Sequence, residues 1–119
     1  MINSESIQNM IGKSYLVMDE NASGLDTCWI FCRDTARRAN IRMPDIPSAL
    51  MKIDRAEVGN VVLFKVGTGW HCGLVWPDGL HFVHACPEQK DGKLIHIIRK
   101  ERLTLWPWNA ALEGFYCAA

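Results

Sequence analysis

The chain has 119 residues, 49% of them apolar, and its 13 basic and 13 acidic side chains cancel. That length holds one domain with a single core, and the balanced charge gives no pull toward nucleic acid or an anionic membrane, so neither is an expected partner. No apolar run approaches the roughly 20 residues needed to cross a bilayer, and the first six residues lack the basic and apolar regions of a secretory leader, so a soluble product of cytoplasmic synthesis is expected.

Residues 4 to 12 carry Ile7, Met10 and Ile11 at helical spacing and read as a short helix, with Ser4 or Ser6 as its cap and Gly12 as its stop. Residues 18 to 26 are polar and glycine-bearing, as an exposed connection would be. The connection ends in Gly24-Leu25-Asp26-Thr27-Cys28-Trp29, a glycine-led turn that delivers Cys28 to the first turn of a second helix over residues 27 to 40. Cys28, Cys32, Thr35, Ala36 and Ala39 share one small-sided face of that helix, suited to close packing on a sheet. Arg33, Asp34, Arg37 and Arg38 fill much of the opposite side. Met43-Pro44-Asp45-Ile46-Pro47 breaks the helical pattern, and residues 48 to 53 read as one more turn of helix.

From there the apolar period changes to two. Candidate strands cover residues 61 to 66, 70 to 76, 80 to 85, 94 to 99 and 114 to 117, separated by Gly, Pro and Asp signals. Helices first and strands afterwards indicate an α+β fold, with N-terminal helices packed on a C-terminal antiparallel sheet. Trp106-Pro107-Trp108 reads as a loop that packs aromatic bulk over a sheet edge, with the lining of a substrate groove as the alternative.

The four histidines separate by register. Asp78-Gly79 is a strong signal for a two-residue hairpin turn, and with it Val75 faces Phe82, Gly73 faces His84 and His71 faces Cys86. His71 and His84 then become diagonal neighbours on one face, with Gly73 leaving room for one ring to lean across, while His81 falls on the other face with Trp76 and Leu74. His96 alternates with Ile95 and Ile97 and reads as structural.

Cys28, Cys32, Cys72, Cys86 and Cys117 make an odd set with no CxxC spacing, which indicates reduced thiols, mostly small buried apolar residues. Cys28 differs, because the unpaired N–H groups and positive dipole at a helix start favour a thiolate and can hold an oxyanion. A zinc site of His71, Cys72, His84 and Cys86 is disfavoured, since the same register turns Cys72 to the opposite face from the other three, and no cofactor is expected.

These motifs, in this order, resemble the NlpC-type cysteine peptidases, a compact papain-like family that hydrolyses bacterial cell-wall stem peptides. The likeness covers about residues 11 to 116. It rests on Asp26-Thr27-Cys28-Trp29 at a helix start, Pro44-Asp45 after that helix, the strand opener Gly59-Asn60-Val61-Val62, and the strand pair His71-Cys72-Gly73-Leu74 and Val83-His84-Ala85. The Cys-Trp variant is similar to the phage and prophage tail branch. Three positions depart from the family pattern: Thr27 separates Asp26 from Cys28, Ile30 stands where glycine is usual, and Asn60 replaces an aspartate.

The resemblance implies a single papain-like peptidase domain over residues 1 to 119. Cys28 is its nucleophile, His71 the base and His84 the orienting residue, with Tyr15 and Trp29 beside the oxyanion or substrate. It implies a peptidoglycan stem peptide as substrate, with a D-γ-glutamyl-diaminopimelate type of bond, phage tail proteins as partners, and action in the periplasm or cell wall. The alternative is an inactive papain-like module that serves tail assembly.

Overall fold

The computed structural model describes residues 3–15, 26–57 and 59–118. The elements run α1 (Ser4–Gln8), α2 (Thr27–Arg38), a 3-10 turn (Pro47–Ala49), β1 (Leu50–Ile53), β2 (Val61–Val66), β3 (Gly69–Val75), β4 (His81–Lys90), β5 (Lys93–Arg102), α3 (Trp108–Ala111) and β6 (Leu112–Ala118). The strands form one six-stranded antiparallel sheet in the order β1-β6-β2-β3-β4-β5, so the expected combination of helices and antiparallel sheet is present. The glycine-led approach to Cys28, Gly24-Leu25, lies outside the described residues.

Local chemistry explains several boundaries. Asn3, rather than Ser4 or Ser6, caps α1: its Oδ1 accepts the Ser6 N–H at 3.3 Å, and Ser6 Oγ donates to the Asn3 carbonyl at 2.9 Å. The helix stops at Gln8, short of the expected residue 12. The chain then turns onto the sheet, where Gly12 N–H donates to the Ile98 carbonyl and Tyr15 N–H to that of His96. Residues 50 to 53 form a strand instead of the expected helical turn, because Leu50↔Ala118 through Ile53↔Phe115 pair with β6, and pairing partners outweigh local preference. β4 and β5 run well past their expected ends, closed by Asp91-Gly92. Both of those residues have positive φ (52° and 77°), as a two-residue type I′ turn requires.

The sheet has two packed faces. On one, α1 and α2 bury Ile7, Phe31, Cys32, Ala36 and Ala39 against Val61, Cys72, Leu74, Val83, Ala85 and Ile98. On the other, Val62, Phe64, Val75, Phe82 and Leu103 form a smaller cluster under Trp108 and Ala111 of α3. The Trp106-Pro107-Trp108 segment thus does pack aromatic bulk on the sheet, through Trp108, while Trp106 stays 81% exposed.

β3 and β4 pair in the expected register, Leu74↔Val83 and Val75↔Phe82. The turn differs. The closing rung is Trp76 N–H to the His81 carbonyl at 2.8 Å, and Pro77 to Leu80 make a four-residue loop in which Asp78 Oδ1 accepts from the N–H groups of Leu80 and His81. Proline has no N–H to close a tighter rung. Gly73 also has a different use from the one expected. A Cβ there would stand 2.5 Å from the Phe82 ring and 2.9 Å from the Val83 carbonyl, so Phe82, not a histidine, occupies the space over it.

The Val83 carbonyl is backbone and cannot swing aside, so Gly73→Ala is expected to lower the unfolding free energy by about 1–3 kcal/mol, the usual range for overpacking. Urea titration at pH 7 measures it, and a loss below about 0.5 kcal/mol contradicts this close approach of β3 and β4.

Candidate active site

The two histidines that share a face meet. His71 Nε2 lies 2.7 Å from His84 Nδ1, with ring centroids 4.9 Å apart and planes at 80°. His84 is fully buried, and its second nitrogen, Nε2, lies 3.3 Å from Glu101 Oε2 on β5. Phe82 and Trp108 pack on the His84 ring at 5.0 Å each, and Trp108 reaches His71 at 6.0 Å. The pair therefore sits in a dry aromatic box at the junction of β3, β4 and α3.

Burial first, then the nearby charges of His71 and Arg99, push the His84 pKa down from its ordinary 6.5 to about 3. His84 is consequently a neutral imidazole at working pH. With His71 Nε2 committed to His84, Nδ1 is the nitrogen of His71 left for another partner.

Cys28, the second residue of α2, interacts with two side chains from β3, Cys72 and His71. Asp26 is the N-cap, and the first intrahelical bond runs from Ile30 N–H to the Asp26 carbonyl. The N–H groups of Thr27, Cys28 and Trp29 thus have no acceptor within the helix. The expected thiolate is not the resting state. The neighbouring Cys72 thiol and burial both push the Cys28 thiol up, and His71 pulls it only part of the way back. Cys72 is itself raised by its contact with Cys32, sulfur to sulfur at 3.8 Å, and by burial.

A groove of about 410 Å3 opens beside Cys28, between the start of α2, the 47–50 segment and strands β2, β3 and β6. Its walls are largely apolar, from Trp29, Pro47, Leu50, Leu63, Trp70 and Tyr116, with Asp26 as the one charged lining residue among those described. Three residues on one stripe of α2 fix the wall. Trp29 Nε1 donates to the Asp45 carbonyl at 3.0 Å, Arg33 Nη1 to the same oxygen at 3.4 Å, and Arg37 to the Met43 carbonyl at 2.9 Å and Asp45 Oδ1 at 2.7 Å. Arg33 was expected on the solvent side of α2; it is 6% exposed because this clamp covers it.

The other candidates fall elsewhere. Tyr15 packs edge-on against Phe31 at 5.2 Å, with its hydroxyl raised to about 12 chiefly by burial, and it is not among the residues lining the groove. Trp29 does line it. His81 bonds Asp78 Oδ2 through Nδ1 at 2.7 Å, away from the histidine pair, and His96 serves through its backbone carbonyl. Cys72 faces Cys32 on the helix side of the sheet, and among the described residues no cluster of three His, Cys, Asp or Glu is arranged to hold a metal ion. Glu101 lay beyond the sequence reading, whereas Trp108, read there as aromatic cover for the sheet, covers the His84 ring. Asp91-Gly92 was the available signal for Glu101, since a two-residue turn there sets it opposite Phe82. No family model matches the chain, and no curated protein matches it.

Two outcomes follow from these protonation states. Unfolded histidine takes its proton near pH 6.5, whereas folded His84 refuses it until about pH 3. Between those values the unfolded state binds the extra proton, so stability falls as pH falls, by about 1.4 kcal/mol per unit from this group. Urea titrations from pH 7 to 4 should show that slope in the wild type and its loss in His84→Gln; equal slopes would contradict a neutral buried His84. Alkylation of Cys28 by iodoacetamide, followed by peptide mass mapping, should rise by up to about tenfold per pH unit from pH 7 to 9 with no plateau at neutral pH, as a protonated thiol requires.

Proposed function

We propose that the protein is a cysteine hydrolase that cleaves an amide bond through Cys28, His71 and His84. The carrying observation is the 2.7 Å bond between His71 Nε2 and His84 Nδ1, which holds the His71 ring beside Cys28 at the wall of an open groove. Cys28 on a helix start and His71 on the sheet support a papain-like division of labour between nucleophile and base.

In this reading His71 Nδ1 takes the proton from Cys28 as the sulfur attacks the substrate carbonyl. The backbone N–H groups at the start of α2, which have no acceptor within the helix, stabilise the oxyanion. Collapse expels the amine, which takes the proton back from His71, and water activated by the same imidazole then releases the acyl group from sulfur. Because Cys28 rests as a thiol, His71 acts as a general base during attack rather than as one half of a standing ion pair.

The family resemblance supplies the substrate class: a peptidoglycan stem peptide, with a D-γ-glutamyl-diaminopimelate type of bond, met in a phage or prophage tail setting at the cell wall. The groove supports a peptide substrate by its size and its position beside the sulfur. One observation favours the second reading, an inactive papain-like module in tail assembly: Cys72 raises the Cys28 thiol.

Cys28→Ala and His71→Ala should each reduce release of soluble peptide from purified peptidoglycan to background while the unfolding midpoint stays close to that of the wild type. Retained release in either variant overturns the assignment. No release by the wild type on several wall types, together with tight association with a tail protein, supports the inactive module.

A further inference from the structure

Protonation states along the histidine pair are not free to choose. Each neutral imidazole has one ring N–H and one acceptor nitrogen, and a carboxylate only accepts. Glu101 Oε2 lies 3.3 Å from His84 Nε2, so an ionised Glu101 requires the His84 proton to be on Nε2. His84 Nδ1 is then the acceptor, and the 2.7 Å contact requires His71 Nε2 to carry the donated proton. His71 Nδ1 is left bare, facing the task of taking the Cys28 proton.

We infer that Glu101 is a positioning residue for this site: its carboxylate, acting through His84, fixes His71 in the tautomer with a bare Nδ1. The inference rests on the reading of Cys28 and His71 as nucleophile and base, and extends it to a fourth residue on a different strand. Glu101 and His84 hold their protons in place and pass none along; the one proton that moves goes from Cys28 sulfur to His71 Nδ1.

The fold builds this placement deliberately enough to test. Glu101 pairs directly with Phe82 across β4 and β5, so it shares the face of His84, whose own partner across the ladder is Arg99. Arg99 is the cation that would compete for the carboxylate, and it is occupied elsewhere, donating to Glu88 from Nε at 3.0 Å and Nη2 at 2.7 Å. At 3.3 Å the tie from His84 to Glu101 is long for a charge-assisted bond, but setting a tautomer needs little energy because the two neutral forms of imidazole differ little in water. Burial of His84 amplifies the choice, since the wrong form would leave a lone pair facing a carboxylate inside the protein.

Long-range proton–nitrogen NMR spectra of uniformly labelled protein at pH 7.5 read both tautomers directly. The wild type should show Nε2–H for His84 and Nε2–H with bare Nδ1 for His71; Nδ1–H on either ring overturns the inference without any variant. Glu101→Leu should mix the His71 tautomers and slow acylation of Cys28 by p-nitrophenyl acetate by at least about tenfold. Glu101→Gln, whose amide oxygen can accept the same proton, should restore the wild-type tautomer and stay within about threefold of the wild-type rate. Unchanged spectra and rate in Glu101→Leu overturn it. The spectra need no substrate, so their outcome stands apart from whether peptidoglycan is cleaved.

Discussion

An imidazole with no exposed surface has to satisfy both ring nitrogens inside the protein, and His84 does so with His71 on one side and Glu101 on the other. Much of the second sheet face follows from that requirement. Phe82 and Trp108 close over the ring and exclude water, α3 exists as the short turn that brings Trp108 there, and Gly73 lets β3 and Phe82 approach closely enough to complete the box. Removing water also strengthens each hydrogen bond within the box, so the orientation of His71 is set by a region that substrate does not touch.

Cys28 shows two opposing influences with unequal magnitudes. A helix N-terminus favours a negative charge by about 0.3–1 kcal/mol at an exposed position, up to about 2 when partly buried. Against this stand the neighbouring thiol of Cys72 and burial, which together outweigh the pull of His71. The balance leaves Cys28 protonated, and in the proposed reaction that makes a correctly oriented base more important, because the proton has to leave during attack. An ion pair would leave His71 protonated on both ring nitrogens, with no tautomer to set; a neutral thiol can give its proton only to a bare Nδ1.

The parts of this site that were legible in the sequence are those governed by short-range rules. The start of α2 and of β2 followed from periodicity, and the shared face of His71 and His84 followed from the register imposed at Asp78-Gly79, although Pro77 widened that turn to four residues without changing the pairing. What escaped depended on partners distant in the chain. β1 looked like a helical turn until β6 was there to pair with it, Arg33 looked solvent-facing until the 43–45 segment folded over it, and Glu101 had no visible connection to His84 while the strand was read as ending at residue 99. Charge at the sulfur was misjudged for the same reason: Cys72 is 44 positions from Cys28, and no local pattern ties them.

Thr27, Ile30 and Asn60, the departures from the NlpC-type pattern that the sequence resembles, acquire physical positions that bear on access to the sulfur. Ile30 is 2% exposed and absent from the groove lining, so its extra bulk goes into the core, and Thr27 likewise stays off the groove wall. Asn60 opens β2 through its backbone, its carbonyl accepting the Val75 N–H at 2.8 Å, and that role is indifferent to whether the side chain is an amide or a carboxylate. The groove is instead shaped by the Trp29, Arg33 and Arg37 stripe, which pulls Met43 to Asp45 onto α2 and thereby sets Pro47 and Leu50 opposite Trp70 and Cys28. The same helix that carries Cys28 thus anchors one wall of the groove in front of it. Loosening the stripe would widen that groove while leaving the histidine pair, held by a different face of the sheet, in place.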